Sequence, residues 1–427
     1  IMAASITILT DLQAFTPVYN RMELSVRLDP ATLLLTGVKY VFDVYIENVT
    51  SPTYYRFQVP PDPDFSLGNV DISRYCEGAC NSTLSAYNSV VPFSLGSNAN
   101  GTQSIIKVTV KYGYSYMSTP TTRTVVPDIT VGSAKYAFQG ALTRFQFQGW
   151  AYNTYICNVT NGANGQFLTD MKTNYVSLTN LGWHHILSDT PTDIDYLVVK
   201  TYDSAGALIQ TATKAISVAQ NLTSSRMYKV ATGPESLNNM TGAFVSGAQP
   251  IIDSSVATYT VQLTNSASTV ASETLTFIMQ EPCRYTQRRI HFQNRFGSFD
   301  AFNFNLRSQK EETIERKGYK YEKYPLTNAG ISRLYQDQAQ VTNYTKIQEF
   351  LTVRSDYLTT EQNEWLKQFM NSTEMYLEFT DPSGAQNFIA YEKPEGNSWL
   401  EQETDIDKLF MMEAKLKLSQ TSEGQRR

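Results

Sequence analysis

The stretch "RRIHFQNRFGSFDAFNF", Arg288 to Phe304, places five phenylalanines, Phe292, Phe296, Phe299, Phe302 and Phe304, around the single Gly297. Phe302, Phe304 and Leu306 alternate with Asn303, Asn305 and Arg307 at the two-residue period of a half-buried strand. Ile290 and Phe292 alternate with Arg289 and His291 in the same way, giving each strand one oily and one wet face. Gly297 and Ser298 break the pattern as a turn or bulge would. The stretch therefore predicts two strands and a tight corner. Ile290, Phe292, Phe302 and Phe304 are expected in a core, with Phe296 and Phe299 capping it or wedging against the preceding domain.

The same period recurs outward from this corner. "KYVFDVYIEN" aligns Tyr40, Phe42, Val44 and Ile46, and "SIIKVTVKYGY" aligns Ile106, Val108, Val110 and Tyr112. Pro60, Pro61 and Pro63 donate no ladder hydrogen bond, so "VPPDPDFSLGNVD" is expected to be a rigid extended loop. Asp203, Ser204, Ala205 and Gly206 supply a hairpin turn between two strand-like runs. Tyr259, Val261 and Leu263, then Leu275, Phe277 and Met279, line single faces of two further strands. One helix is expected from "LTTEQNEWLKQFMNST", where Thr359 and Gln362 have capping-box spacing and Trp365, Leu366, Phe369 and Met370 form an apolar face. A hairpin around Asp381, Pro382, Ser383 and Gly384 follows. Phe410, Met412, Ala414, Leu416 and Leu418 then mark a last strand.

The expected class is mainly β: serial β-sandwich (immunoglobulin/fibronectin-like) domains followed by a mixed, β-rich C-terminal domain with one clear helix. The expected domains are 1–123, 124–285 with a soft internal division near 220, and 286–427. A chain of 427 residues accommodates about three such domains.

Charged residues make up only 18% of the chain and the formal net charge is -5, which offers no general basic surface for nucleic acid. No apolar run approaches the roughly 20 residues that span a bilayer. The opening residues lack the basic start and long apolar core of a secretion signal, so the chain is expected to be soluble and not exported by the standard route. On the same ground the eight N-x-S/T sequons, at Asn48, Asn81, Asn100, Asn158, Asn221, Asn239, Asn343 and Asn371, read as chance matches in an Asn- and Thr-rich chain.

Candidate chemistry is sparse. Cys76 and Cys80 in "CEGAC" have a spacing that could serve a metal, but Cys157 and Cys283 lie far off, and unpaired structural thiols are the expected state. His184 and His185 are adjacent on a predicted strand and point to opposite faces, so they read as structural histidines. Glu392, Glu395, Glu401, Glu403, Asp405 and Asp407 near Trp399 form an acid-rich loop that could host a carboxylate pair. Phosphate loops, nucleophile elbows and zinc-protease motifs are missing, so no enzyme activity, cofactor or metal is expected. The charged run Arg307 to Pro325 reads as a solvated strand edge or loop, with a charged subunit interface as the sharper alternative. Arg295, Phe296, Phe299, Arg316, Tyr319 and Tyr321 are the candidate interface or interdomain packing residues.

"ITILTDLQAFTPVYNRMELSV", "KYVFDVYIEN" and "YRFQVPPDPDFSLGNVDISRY" together resemble the opening of virion structural proteins from tailed bacteriophages of Bacteroidota hosts, crAss-like phages among them. "RRIHFQNRFGSFDAFNF" and the strand-rich end reaching "QRR" resemble the later part of the same proteins. The resemblance covers about the first 75 residues and the last 140. It implies a noncatalytic, virion-located component of the tail, neck or baseplate region, made in the host cytoplasm. The implied partners are copies of itself in a ring or other symmetric oligomer, neighbouring virion proteins and, further out, a host-surface glycan. Nucleic acid is not expected as a principal partner, nor is a membrane. The rival expectation is a cell-surface adhesin or carbohydrate-binding β-sandwich protein.

Overall fold

The computed structural model describes residues 5–47, 53–80, 93–95, 105–189, 194–216, 227–240, 242, 244–281, 284–320, 326–328, 330–331, 340–384, 386–393, 410–420 and 422–423. The chain is mainly β, built from several sheets with one long helix. It divides into two compact units. The first comprises Ile1–Gln280 together with Gln293–Asp300, and the second comprises Glu281–Phe292 and Ala301–Arg427.

In the first unit, Ile6–Thr10, Glu23–Leu28 and Leu67–Asp71 form a three-stranded antiparallel sheet. A larger sheet runs in the order Phe15–Pro17, Lys135–Phe138, Ile105–Thr119, Lys39–Glu47, Thr53–Val59, with Thr122–Val131 also paired to Ile105–Thr119. The two sheets share one core: Leu24, Val26 and Leu28 pack with Tyr40, Phe42, Val44, Ile46, Val108, Val110 and Tyr112. Alternation along the strands puts these side chains on inner faces. The expected loop around the prolines is shorter than predicted, because Leu67–Asp71 is a strand. Gly68 makes this possible: a Cβ there would lie 2.3 Å from Cγ of Tyr40, so only a bare backbone lets that ring pack.

A five-stranded sheet runs Thr173–Val176, Leu275–Met279, Thr258–Thr264, Tyr196–Tyr202, Leu208–Ala215, and a three-stranded one runs Trp183–Leu187, Met227–Ala231, Phe93–Leu95. The hairpin turn after Tyr202 forms as expected: Asp203 Oδ1 accepts from the amides of Ala205 (2.9 Å) and Ala207 (2.8 Å), and Gly206 has φ 81°. The expected boundary between 123 and 124 falls inside the strand Thr122–Val131. Phe93–Leu95 pairs with Met227–Ala231 across the same boundary. Segments 1–123 and 124–280 thus belong to one unit, because strand pairing here links residues far apart in sequence. The later division lies between Gln280 and Glu281, a few residues before the expected 285.

The second unit is organised by an eight-stranded sheet in the order Phe299–Phe304, Arg288–Gln293, Met375–Thr380, Gln386–Glu392, Glu413–Leu418, Gln340–Arg354, Gln309–Lys320, with Ser422–Glu423 paired to Gln340–Arg354. The helix Thr360–Asn371 starts with the expected capping box, in which Thr359 Oγ1 accepts from the Gln362 amide at 3.2 Å and Gln362 Oε1 accepts from the Thr359 amide at 3.0 Å. Its Trp365 and Phe369 rings lie 5.4 and 5.5 Å from Phe292, and Phe304 lies 5.6 Å from Phe369. Ile290, Phe292 and Phe304 are fully buried as expected.

Two expectations for this unit need correction. Phe302 is only half-buried, resting its edge on Phe304 and Trp365. The supposed wet face of Arg288–Gln293 is buried as well, because its polar groups are paired: His291 Nε2 lies 2.8 Å from Glu378 Oε2, Arg289 Nε lies 3.3 Å from the same oxygen, and Arg289 Nη1 donates to Asn303 Oδ1 at 2.9 Å. Charge pairing removes the penalty that alternation assumes. Phe304→Ala is expected to destabilise the second unit by ~3–5 kcal/mol and Phe302→Ala by about half as much, read as denaturant midpoints of the two variants.

Candidate functional site

The residues brought together most tightly around the opening motif are those of Gln293–Asp300, which belong to the first unit. The turn is built by Asn294. Its Oδ1 accepts from the amides of Phe296 at 3.0 Å and Ser298 at 3.1 Å, its Nδ2 donates to the Leu168 carbonyl at 2.8 Å, and its own amide donates to the Ser298 carbonyl at 2.8 Å. Short Asx-type bonding of this kind stabilises a turn locally. Gly297 adopts φ +71°, and a Cβ on it would fall 1.2 Å from the Gln139 carbonyl oxygen. The backbone approach there leaves room for hydrogen only. Two residues from each of these, the Ala141 amide donates to the Arg295 carbonyl at 2.8 Å.

Phe296 occupies an aromatic pocket of the first unit. Its ring lies 4.9 Å from Tyr155 and 6.3 Å from Trp150, which stacks on Tyr155 at 4.8 Å. Phe15, Phe138, Leu142, Ile156, Leu168 and Leu187 belong to the same cluster. The Trp150 indole donates to the Phe15 carbonyl at 2.9 Å, so its one polar atom is satisfied. The Arg295 guanidinium sits 4.8 Å from the Phe296 ring centroid and is ion-paired with Asp170.

A polar layer accompanies the turn. Ser298 Oγ lies 2.7 Å from His185 Nδ1, Thr169 Oγ1 donates to Asp300 Oδ2 at 3.1 Å, and His184 Nδ1 lies 2.8 Å from Thr232 Oγ1 with its Nε2 3.9 Å from Asp300 Oδ1. A serine, two histidines and an aspartate converge here, which is the material of nucleophilic catalysis. All four are buried: Ser298 is 0% exposed, Asp300 1%, His185 2% and His184 6%. A reacting group must reach substrate. Burial first, then the charge of Lys229 and that of His184, pushes His185 well below the ordinary histidine range. Lys229, directly across the strand pair from His185, is itself pushed down to about 8 by burial.

Phe299 is buried, whereas Arg316 and Tyr319 are exposed on the strand Gln309–Lys320. Tyr321 lies outside the described residues, as do Cys283, Glu395, Trp399, Glu401, Glu403, Asp405 and Asp407. Glu392 is exposed on a strand and lies 3.6 Å from Lys417. Cys76, Cys80 and Cys157 are buried, and burial pushes the Cys76 thiol up to about 12. Among the described residues, no group of three or more His, Cys, Asp or Glu side chains could hold a metal ion. Of the sequons, Asn158 is buried, with its amide nitrogen donating to Asp189 at 3.0 Å and its oxygen accepting from the Asn161 amide at 2.7 Å. Asn48, Asn81, Asn100 and Asn221 lie outside the described residues.

No protein-family model matches the chain, and no curated protein does. Among solved structures it is similar to the native conformation of E. coli alpha-2-macroglobulin, at 8% identity and a TM-score of 0.20, over 82% of this chain and 22% of that one. A mutant of Salmonella alpha-2-macroglobulin matches at 7% identity and a TM-score of 0.20, over 99% of this chain and 31% of that one. The chain thus spans less than a third of those proteins' length, and a likeness so slight supports no functional reading.

Two measurements check the hub. Gly297→Ala combines a left-handed backbone with a collision against a carbonyl and is expected to cost more than ~3 kcal/mol, seen as a large drop in melting temperature. Because the folded pKa of His185 is depressed, the unfolded chain binds the extra proton below pH ~6.5, and stability must fall as pH falls through that value by up to ~1.4 kcal/mol per unit. His185→Gln is expected to flatten the stability-versus-pH slope between pH 6.5 and 5 by about one proton's worth.

Proposed function

We propose that this chain is a noncatalytic building block of a tailed-bacteriophage particle, in the tail, neck or baseplate region, and that it works by presenting preformed β surfaces to copies of itself and to neighbouring virion proteins. The observation that carries the reading is the fate of the Ser298, His184, His185 and Asp300 cluster. The side chains best suited to chemistry are consumed in holding a buried turn. The resemblance of the N-terminal and C-terminal sequence patterns to virion structural proteins supports the same conclusion. Rigid sheets suit assembly because little conformational entropy is lost when such surfaces dock. Among the described residues no helix is long and apolar enough to cross a membrane.

Negative-stain imaging and sedimentation of the purified protein test the proposal. Ordered oligomers, or co-assembly with other components of the particle, are the expected result. A persistent monomer that binds polysaccharide would instead favour a carbohydrate-binding β-sandwich protein, and turnover of the polysaccharide would defeat the noncatalytic reading outright.

A further inference from the structure

The strand Gln309–Lys320 ends the eight-stranded sheet, and all twelve of its residues are exposed. It pairs along one side with Gln340–Arg354, and among the described residues no strand covers its other side. An uncovered edge presents a row of backbone donors and acceptors, which proteins commonly guard with charge. Here the charges have an order that guarding does not require. Counting from Ile314, which is 50% exposed, Glu311 and Glu312 stand three and two residues before it, and Arg316 and Lys317 stand two and three residues after it.

This antisymmetry makes the strand complementary to itself. If two copies pair antiparallel about a two-fold axis at Ile314, Ile314 faces Ile314 of the second copy, Glu312 faces Arg316 of the second copy and Glu311 faces Lys317 of the second copy. Each charge pair occurs twice. Directly opposed side chains share a face of the sheet, so these are the pairs that interact. Sliding by one residue in one direction sets Lys310 against Lys317 and Glu312 against Glu315. Sliding the other way sets Ile314 against Glu315 and leaves one kind of charge pair. Parallel, in-register pairing stacks like charge on like. Within the chain, Glu311 already reaches Lys415 at 2.6 Å and Lys317 reaches Glu315 at 3.5 Å, while no described ion pair involves Glu312 or Arg316.

We propose that this edge is a self-recognition surface, through which two copies of the chain join by antiparallel addition of Gln309–Lys320 to its counterpart, centred on Ile314. The inference deepens the assembly reading and rests on it for the premise that copies meet. The contact is isologous, so it joins copies in pairs, and any ring built from such pairs needs a second, heterologous interface.

Sedimentation and cysteine cross-linking of the full chain test the surface and its register. Ile314→Cys is expected to form a disulfide-linked dimer on oxidation, whereas Thr313→Cys, which would face Glu315 of the second copy, is not. Glu312→Arg alone, or Arg316→Glu alone, is expected to weaken self-association by roughly tenfold, and the double variant E312R/R316E to restore it. That rescue separates charge pairing from misfolding, because the double variant carries both changes. A chain that never dimerises overturns the proposal. So does an oligomer that ignores both charge reversals and yields no cross-link at Ile314, but that result leaves the wider assembly reading standing.

Discussion

The contact between Gly297 and the Gln139 carbonyl sets the terms for everything around it. A turn whose backbone passes that close to another chain segment, inside a core, must have every amide and carbonyl accounted for, since an orphaned buried polar group costs about as much as a hydrogen bond is worth. Asn294 supplies most of the accounting, bonding two amides and one carbonyl from a single side chain. Ser298, Asp300, His184 and His185 are then explained as the next ring of the same requirement. Each buries a polar atom and each finds a partner within the first unit.

The second unit solves a related problem with charge. Arg289, His291 and Glu378 lie together, where the carboxylate meets both the guanidinium and the imidazole, whose pKa burial lowers, and Asn303 Oδ1 accepts a further hydrogen bond from Arg289. Buried pairs of this sort seldom add net stability compared with apolar packing, but losing one member leaves the others stranded. Phe388 stands edge-on to the His291 ring at 5.1 Å, so the group is sealed by aromatic surface. Asn294 supplies most of the bonds around the turn, where Arg295 also pairs with Asp170, whereas along Arg288–Gln293 a single carboxylate, that of Glu378, meets both Arg289 and His291.

Much of this was legible in the sequence. Strand periodicity located the inner faces of Lys39–Glu47 and Glu413–Leu418, the capping pair Thr359 and Gln362 located the helix, and Gly297 marked the corner. Alternation could not reveal that Arg289 and His291 are buried, because their partners Asn303 and Glu378 lie 14 and 87 residues away. For the same reason the boundary at 123 was misplaced: Phe93–Leu95 finds its partner strand at Met227–Ala231, and no local signal announces a pairing of that span. The hub itself was half visible. Phe296 and Phe299 were singled out, but Trp150 and Tyr155, which receive Phe296, stand in a segment of short helical turns with no clear period. His184 and His185, read from the sequence as structural, are buried and hydrogen-bonded, and nothing in the sequence points from them to Ser298 and Asp300.

The interrupted makeup of the first unit bears on the order of its folding. Translation proceeds from the N-terminus, and domains commonly fold as each is completed. Here, residues 281–292 of the other unit leave the ribosome before the eight that finish the first. Until Phe296 has emerged, the pocket lined by Trp150, Tyr155 and Phe138 lacks its final occupant. The nascent chain must therefore carry an incomplete first half through the synthesis of those twelve residues, a window in which a chaperone has a physical reason to act.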